Sequence, residues 1–252
     1  MATIWQKKIK GNRYEVRASR NTYSLYTNGV CHSEYNSYNI STGSYWDLLI
    51  LPIFFYANKN NIKRILVLGV GGGAVINQIM SLMSPEIVVG IEVNPMHLYI
   101  ARRFFEVERP EVKLIEADAV SWLMDYSDAP FDMIIEDMFT EKQKDPVRFI
   151  DANADWFELL DKNLSKTGIL SLNFISRKEL QDCGYFKDSV YKKKFQSVFQ
   201  LTVPGLDNYI GIFLRQKVNT TELRNNLNQN PVFKKALQNR KLNYRIRNLR
   251  KL

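Results

Sequence analysis

The chain has 252 residues, 45% of them hydrophobic, which suits one large α/β domain with a small appendage. Its net charge of +9 is uneven: residues 219–252 hold nine Lys/Arg against Glu222, and the rest of the chain sums to +1. A strongly basic main domain is thereby excluded, and so is a disulfide framework, because Cys31 and Cys183 are too few and show no CxxC spacing. The apolar run "LLILPIFFYA" (Leu48–Ala57) is too short to span a bilayer and contains Pro52, and "MATIWQKKIKGN" lacks the apolar core of a signal peptide. The expectation is a soluble, cytoplasmic protein with no membrane association.

In chain order, "YEVRAS", "TYSLYT" and "VCHSEY" alternate and are rich in β-branched and aromatic residues, which predicts a β-meander from Tyr14 to Tyr35. Asn28-Gly29 accepts positive φ at both positions and predicts a type I′ hairpin. An apolar run of helical length follows from Ser44 to Tyr56, broken at Pro52. Residues 1–56 thus read as a β-rich unit with a lead-in helix.

Strand–helix alternation then begins. "RILVLGV" reads as a strand buried on both faces, "AVINQIMSLM" as a helix and "EIVVGIEV" as a strand. "NPMHLYIARRFF" reads as a helix with Asn94 as N-cap and Pro95 at its first position. "VKLIEAD", "AVSWLMDY" and "FDMIIEDM" follow as strand, helix and strand. "DPVRFIDANADWFELLDKNL" is expected to be one helix stopped near Gly168, followed by the strand "GILSLNFI" and a helix over about 178–195. Two antiparallel strands, "SVFQLTV" and "YIGIFLRQ", close the domain at residues 57–218. The basic segment 219–252 is expected to be a helical tail. Its default role is a solvated helix, and nucleic-acid contact through phosphate neutralisation is the weaker alternative.

This order predicts a mostly parallel sheet with helices on both faces and a site beyond the carboxyl ends of its strands. The turn "GVGGGA" fits the dinucleotide fingerprint: Gly69, Gly71, Gly72 and Gly73 would bring bare backbone to a ligand at a helix N-terminus. Packing would explain one or two of these glycines but hardly four. Glu92 ends the second strand and can accept both hydroxyl protons of a ribose, in NAD or in S-adenosylmethionine. Asp118, followed by Ala119, would receive an adenine amino group while the next backbone N–H faces the ring; Asp118 can also cap the helix after it, and the two roles are compatible. Alternation puts Glu136 and Asp137 on opposite sides, with Asp137 a candidate base towards an amine. His32 and His97 have no metal-ligand spacing, and His97 is expected to be packed or at the surface.

These motifs together, from about Tyr14 to Gln216, resemble the spermidine synthase (polyamine aminopropyltransferase) superfamily. The resemblance implies a Rossmann-like seven-stranded methyltransferase fold behind a small N-terminal β unit, and a homodimer through that unit. It implies S-adenosylmethionine or its decarboxylated form as the group donor, and a small-molecule acceptor, an amine. It places Tyr45 near the site. Family members carry a GGGDGG turn whose Asp holds the amine portions; here that position is Gly72. Of their D-[ST]-x-D-P, Asp137 matches the first Asp, the base, whereas the second falls on Thr140, beside Glu141. A histidine of the preceding helix appears as Leu51. The adenosine half is kept and the polyamine half is thinned to Asp137, with Asp47 or Glu141 as helpers. The expectation is therefore an S-adenosylmethionine-binding transferase with methyl transfer favoured. The alternatives are a true aminopropyltransferase and a catalytically silent binding module.

Overall fold

A computed structural model of the chain describes residues 1–142 and 145–250, with the backbone alone at 141, 142, 145 and 146. The N-terminal unit is an antiparallel meander of β1 (Ala2–Ile9), β2 (Asn12–Ser19), β3 (Thr22–Thr27) and β4 (Val30–Asn36). Asn28 and Gly29 have φ of 51° and 90°, which agrees with the type I′ turn. β1 was not expected; it closes on β2 through a second pair with positive φ, Lys10 and Gly11. Helix α1 (Tyr45–Ile50) tightens at Leu51–Phe55 into a 3-10 turn, with Pro52 in its first turn. Proline lacks the N–H that would continue the α-helix.

The main sheet contains β5 (Arg64–Leu68), β6 (Ile87–Glu92), β7 (Val112–Glu116), β8 (Phe131–Glu136), β11 (Leu164–Phe174), β12 (Ser197–Thr202), β13 (Tyr209–Leu214) and β14 (Arg245–Asn248). A separate hairpin is made by β9 (Phe139–Lys142) and β10 (Asp145–Arg148). The eight-stranded order is β14-β12-β13-β11-β8-β5-β6-β7, parallel from β11 to β7 and antiparallel beyond. β5 shows why its sequence is apolar throughout. Ile65 and Val67 enter one buried cluster, and Leu66 and Leu68 enter the other, on the opposite face. The chain leaves β5 for β6 on one side, while β8 lies on the other, so the order reverses beside the end of β5.

Helices α2 (Ala74–Leu82), α3 (Pro95–Phe104), α4 (Ala119–Asp125) and α5 (Ala154–Lys162) connect these strands. The single helix expected over 145–164 is corrected: its first residues form β10, and α5 starts only where Asn153 caps it by accepting from the Trp156 N–H. The helix expected over 178–195 is three short ones: α6 (Arg177–Asp182), α7 (Gly184–Lys187) and α8 (Ser189–Lys194). Gly184 sets one break, because a Cβ there would lie 2.5 Å from the Asn153 carbonyl oxygen.

Residues 219–252 hold α9 (Thr220–Gln229), α10 (Pro231–Gln238) and the edge strand β14, the eighth strand that the sequence did not announce. Leu223, Leu227 and Phe233 are fully buried, and Phe233 meets Phe54 edge-on at 5.2 Å. Among the described residues no helix is long and apolar enough to cross a membrane.

Candidate active site

A cavity of about 630 Å³ lies beyond the carboxyl ends of β5, β6 and β8, with β3, β4 and α1 along its rim. Among the described residues Glu92 and Asp137 are the only carboxylates lining it.

The glycine turn forms one wall, but not in the manner expected. Gly69, Gly71 and Gly73 have φ of 85°, 53° and 84°, a region open to glycine. Each Cβ direction points at protein: the Asp137 carbonyl from Gly69 (2.3 Å), the His32 carbonyl from Gly71 (2.8 Å) and the Val107 side chain from Gly73 (2.5 Å). A Cβ at Gly72 would meet the Phe105 ring at 2.8 Å and the Ser33 Cβ at 2.9 Å. Packing therefore accounts for all four. Gly69 and Gly71 line the cavity with their backbone, whereas Gly72 and Gly73 are absent from its wall. The α2 N-terminus is also partly used, since the Ala74 N–H donates to Ser33 Oγ at 3.2 Å.

Glu92 sits at the end of β6 and is buried. Its Oε2 accepts from the N–H groups of Val70 (3.1 Å) and Gly71 (2.9 Å), and its Oε1 from that of Asn94 (2.9 Å). His97 Nδ1 lies 3.7 Å from Oε2. Burial pushes the Glu92 carboxyl up, but His97 and the backbone donors outweigh it and hold the group below the usual glutamate range. It is a fixed, ionised acceptor.

Asp118 takes the cap role. Its Oδ1 accepts from both the N–H and the hydroxyl of Ser121 at 2.9 Å, and the cavity wall here is Ala117 and Ala119. The cap role named from the sequence is thus the one seen: the Asp118 side chain caps α4, and its two neighbours face the cavity.

Asp137 and Glu136 do point apart. Glu136 is fully buried and pairs with Arg148 Nη2 at 2.5 Å; Arg148 also approaches Glu179 (3.3 Å) and donates to the Asn173 carbonyl. Asp137 faces the cavity, where Asn173 Nδ2 donates to its Oδ1 at 2.7 Å; Asn208 Nδ2 in turn donates to Asn173 Oδ1 at 3.1 Å. Burial, opposed by the Asn173 hydrogen bond and reinforced by the charge of Glu136, raises the Asp137 carboxyl to about 6. Such a group is ionised at neutral pH and basic enough to take a proton. Tyr45 and Trp46 line the same end, and burial together with Asp137 lifts the Tyr45 phenol well above its ordinary value.

Asp47 is not available to a ligand. It is fully buried and accepts from Ser41, Thr42, Gly43 and Gln78, tying the loop before α1 to α2. Its proposed help at the acceptor site is therefore corrected. The Glu141 side chain lies outside the described residues.

Sequence reasoning missed His97, Asn173 and Arg148. Asn173 left a signal, a polar residue at the apolar end of "GILSLNF". Arg148 was hidden by the helix expected there.

The sheet order and the helices that connect its strands define a Rossmann-like protein with the methyltransferase fold. Residues 49–225 match the spermine/spermidine synthase domain, and the chain belongs to that family. A polyamine aminopropyltransferase of Chromobacterium violaceum is 29% identical over 118 residues, 45% of this chain and 43% of that protein. The chain thus spans less than half of that relative's length. A probable spermidine synthase from Corynebacterium glutamicum has the same fold, with a TM-score of 0.71 at 17% identity over 98% of this chain and 91% of that one. Human methyltransferase-like protein 13, solved in complex with SAH, also shares the fold: TM-score 0.60 at 18% identity, over 77% of this chain and 92% of that one. The family and this relative are named for polyamine aminopropyl transfer, not for the methyl transfer preferred from the sequence.

Proposed function

We propose that the protein transfers the aminopropyl group of decarboxylated S-adenosylmethionine to an amine. The observation that carries this is Asp137: a half-buried carboxylate, raised to about 6, held by Asn173 at the cavity wall across the glycine turn from Glu92. Glu92 would take the ribose hydroxyls, and Ala117 and Ala119 would flank the adenine. The donor supplies a sulfonium-activated carbon. The acceptor nitrogen bonds to that carbon as the carbon–sulfur bond breaks, methylthioadenosine leaves as a neutral thioether, and Asp137 accepts the nitrogen's proton. Orientation at the carbon contributes most of the acceleration.

A second observation supports the decarboxylated donor. The Val70 and Gly71 N–H groups already serve Glu92, and that of Ala74 already serves Ser33, so these three are not open to a donor α-carboxylate. The acceptor end pairs Asp137 and the amides Asn173 and Asn208 with Trp46, Phe139, Phe149 and Ile175, which suits an amine on an apolar body.

The test is to incubate the protein with each donor and a panel of amines, putrescine included, and follow methylthioadenosine and product mass. Methylthioadenosine with an aminopropylated amine is the expected outcome. Methyl transfer from S-adenosylmethionine without aminopropyl transfer would overturn the reading. Failure of every adenosine ligand to raise Tm would favour a silent module.

A further inference from the structure

The two histidines of the chain lie together at the donor end of the cavity, and the chemistry assigned so far uses neither. Their rings are 4.9 Å apart, on α3 (His97) and β4 (His32). His97 is 6% exposed and touches two different elements with its two nitrogens. Nε2 lies 2.8 Å from the Thr27 hydroxyl at the end of β3, and Nδ1 lies 3.7 Å from Glu92 Oε2 at the end of β6. A carboxylate only accepts, so Nδ1 faces Glu92 productively when it carries a proton, and the Thr27 hydroxyl can serve Nε2 as donor or acceptor. The Tyr14 ring meets His97 edge-on at 6.0 Å, and the Tyr14 hydroxyl accepts from Asn94 Nδ2 at 3.3 Å. The imidazole is thus held from β2, β3 and β4 while it addresses a single oxygen of the acid.

That oxygen also takes two backbone N–H groups of the glycine turn, so its direction matters. A glutamate has three side-chain torsions to fix. We infer that His97 is a positioning residue that orients Glu92 towards a ribose and fastens the N-terminal hairpin to the donor site. This rests on the reading of Glu92 as the ribose acceptor.

The two nitrogens can be separated by substitution. Asparagine places an N–H near the position of Nδ1, whereas glutamine reaches towards that of Nε2. The probe is methylthioadenosine, titrated calorimetrically against the full chain, with Tm recorded for each variant. His97→Leu and His97→Gln should each weaken binding about tenfold, the loss of one charge-assisted contact, and His97→Asn should stay within about twofold. In a Glu92→Gln background, His97→Leu should add less than about twofold. In turnover the donor KM should rise while kcat holds, because Asp137 lies at the other end of the cavity.

Equal losses from His97→Leu in both backgrounds, or equal losses from Asn and Gln, would overturn the inference and leave His97 a packing residue. If Glu92→Gln itself leaves methylthioadenosine affinity unchanged, the ribose reading falls and takes this inference with it. If His97→Leu does not fold, the Asn and Gln pair still decides.

Discussion

Gly72 stands where the family resemblance places an aspartate, and restoring that acid tests what the position can hold. Its φ lies outside the positive range, so backbone strain contributes nothing and the cost is steric. A Cβ meets two Phe105 ring carbons at 2.8 and 2.9 Å and the Ser33 Cβ at 2.9 Å. Phe105 is fully buried and cannot swing into solvent. Overpacking of this kind costs about 1–3 kcal/mol, and the gain from replacing a glycine in the unfolded chain returns roughly 0.4–1 kcal/mol. Gly72→Ala should therefore lose about 1–2 kcal/mol. Gly72→Asp adds a carboxylate against an aromatic ring and should lose about 3 kcal/mol, a Tm fall of about 6–12 °C for a chain of this size. Thermal and urea melts of wild type, Ala and Asp measure this directly. Trimming Phe105 to leucine in the Gly72→Asp protein should recover part of the loss, a non-additive pair. A Gly72→Asp protein as stable as wild type, with new activity on putrescine, would refute the packing argument.

Asp137→Asn should lower kcat at least about a hundredfold, as loss of a base does. The group's folded pKa of about 6 exceeds the 3.8 of a free aspartate, so its contribution to stability is full below 3.8 and lost as pH rises through about 6. The asparagine variant should therefore gain stability relative to wild type at pH 8, by up to about 3 kcal/mol, and gain none at pH 3.5; an equal difference at both pH values would show that Asp137 is not held protonated-prone by burial. Arg148→Met should cost about 3–5 kcal/mol in urea melts by stranding Glu136, and the pair Arg148→Met with Glu136→Leu should recover much of it. Leu227→Ala should cost about 2–5 kcal/mol, because α9 packs into the core, and so removing residues 219–252 would unfold the protein rather than isolate a nucleic-acid site.

The sequence made the centre of the sheet readable because its innermost strands beside the cavity are short apolar runs ending at glycine or an acid. β5, β6 and β8 all follow this rule, and the helices between them carry caps such as Asn94 and Asp118. The β9–β10 hairpin was not readable. Pro146, Val147 and Arg148 sit in a run with helix-like spacing, and what makes it a strand is pairing with residues 139–142, a tertiary fact. β14 escaped for the same reason, since four residues with two arginines become a strand only beside β12. At the site, the two cavity acids were found because they stand at strand ends, and Asp47 misled because an acid two residues after Tyr45 gives no hint of four neighbours donating to it. His97 looked like packing because its partners, Thr27 and Glu92, are 70 and five positions away.

The charge-free turn now has a physical cause. Glu92 spends one oxygen on the Val70 and Gly71 N–H groups, and the Asp137 N–H donates to the Leu68 carbonyl while its own carbonyl lies over Gly69. Both cavity acids are thus anchored by the same stretch of backbone, Leu68 to Gly71. A third carboxylate inside that backbone would raise the cost of ionising both: it would oppose His97 and the backbone donors that keep Glu92 charged, and raise the Asp137 carboxyl further. With Phe105 and Ser33 filling the space, the turn carries no charge of its own and leaves the two acids shifted in opposite directions, Glu92 down and Asp137 up. The donor's amine must then be met from outside the turn, and the groups facing the cavity nearest to that task are Asp137 and Tyr45. On the proposed aminopropyl transfer, Asp137 is the one carboxylate among the described residues left to meet an amine, which would favour acceptors with one amine near the reacting carbon over long polycations.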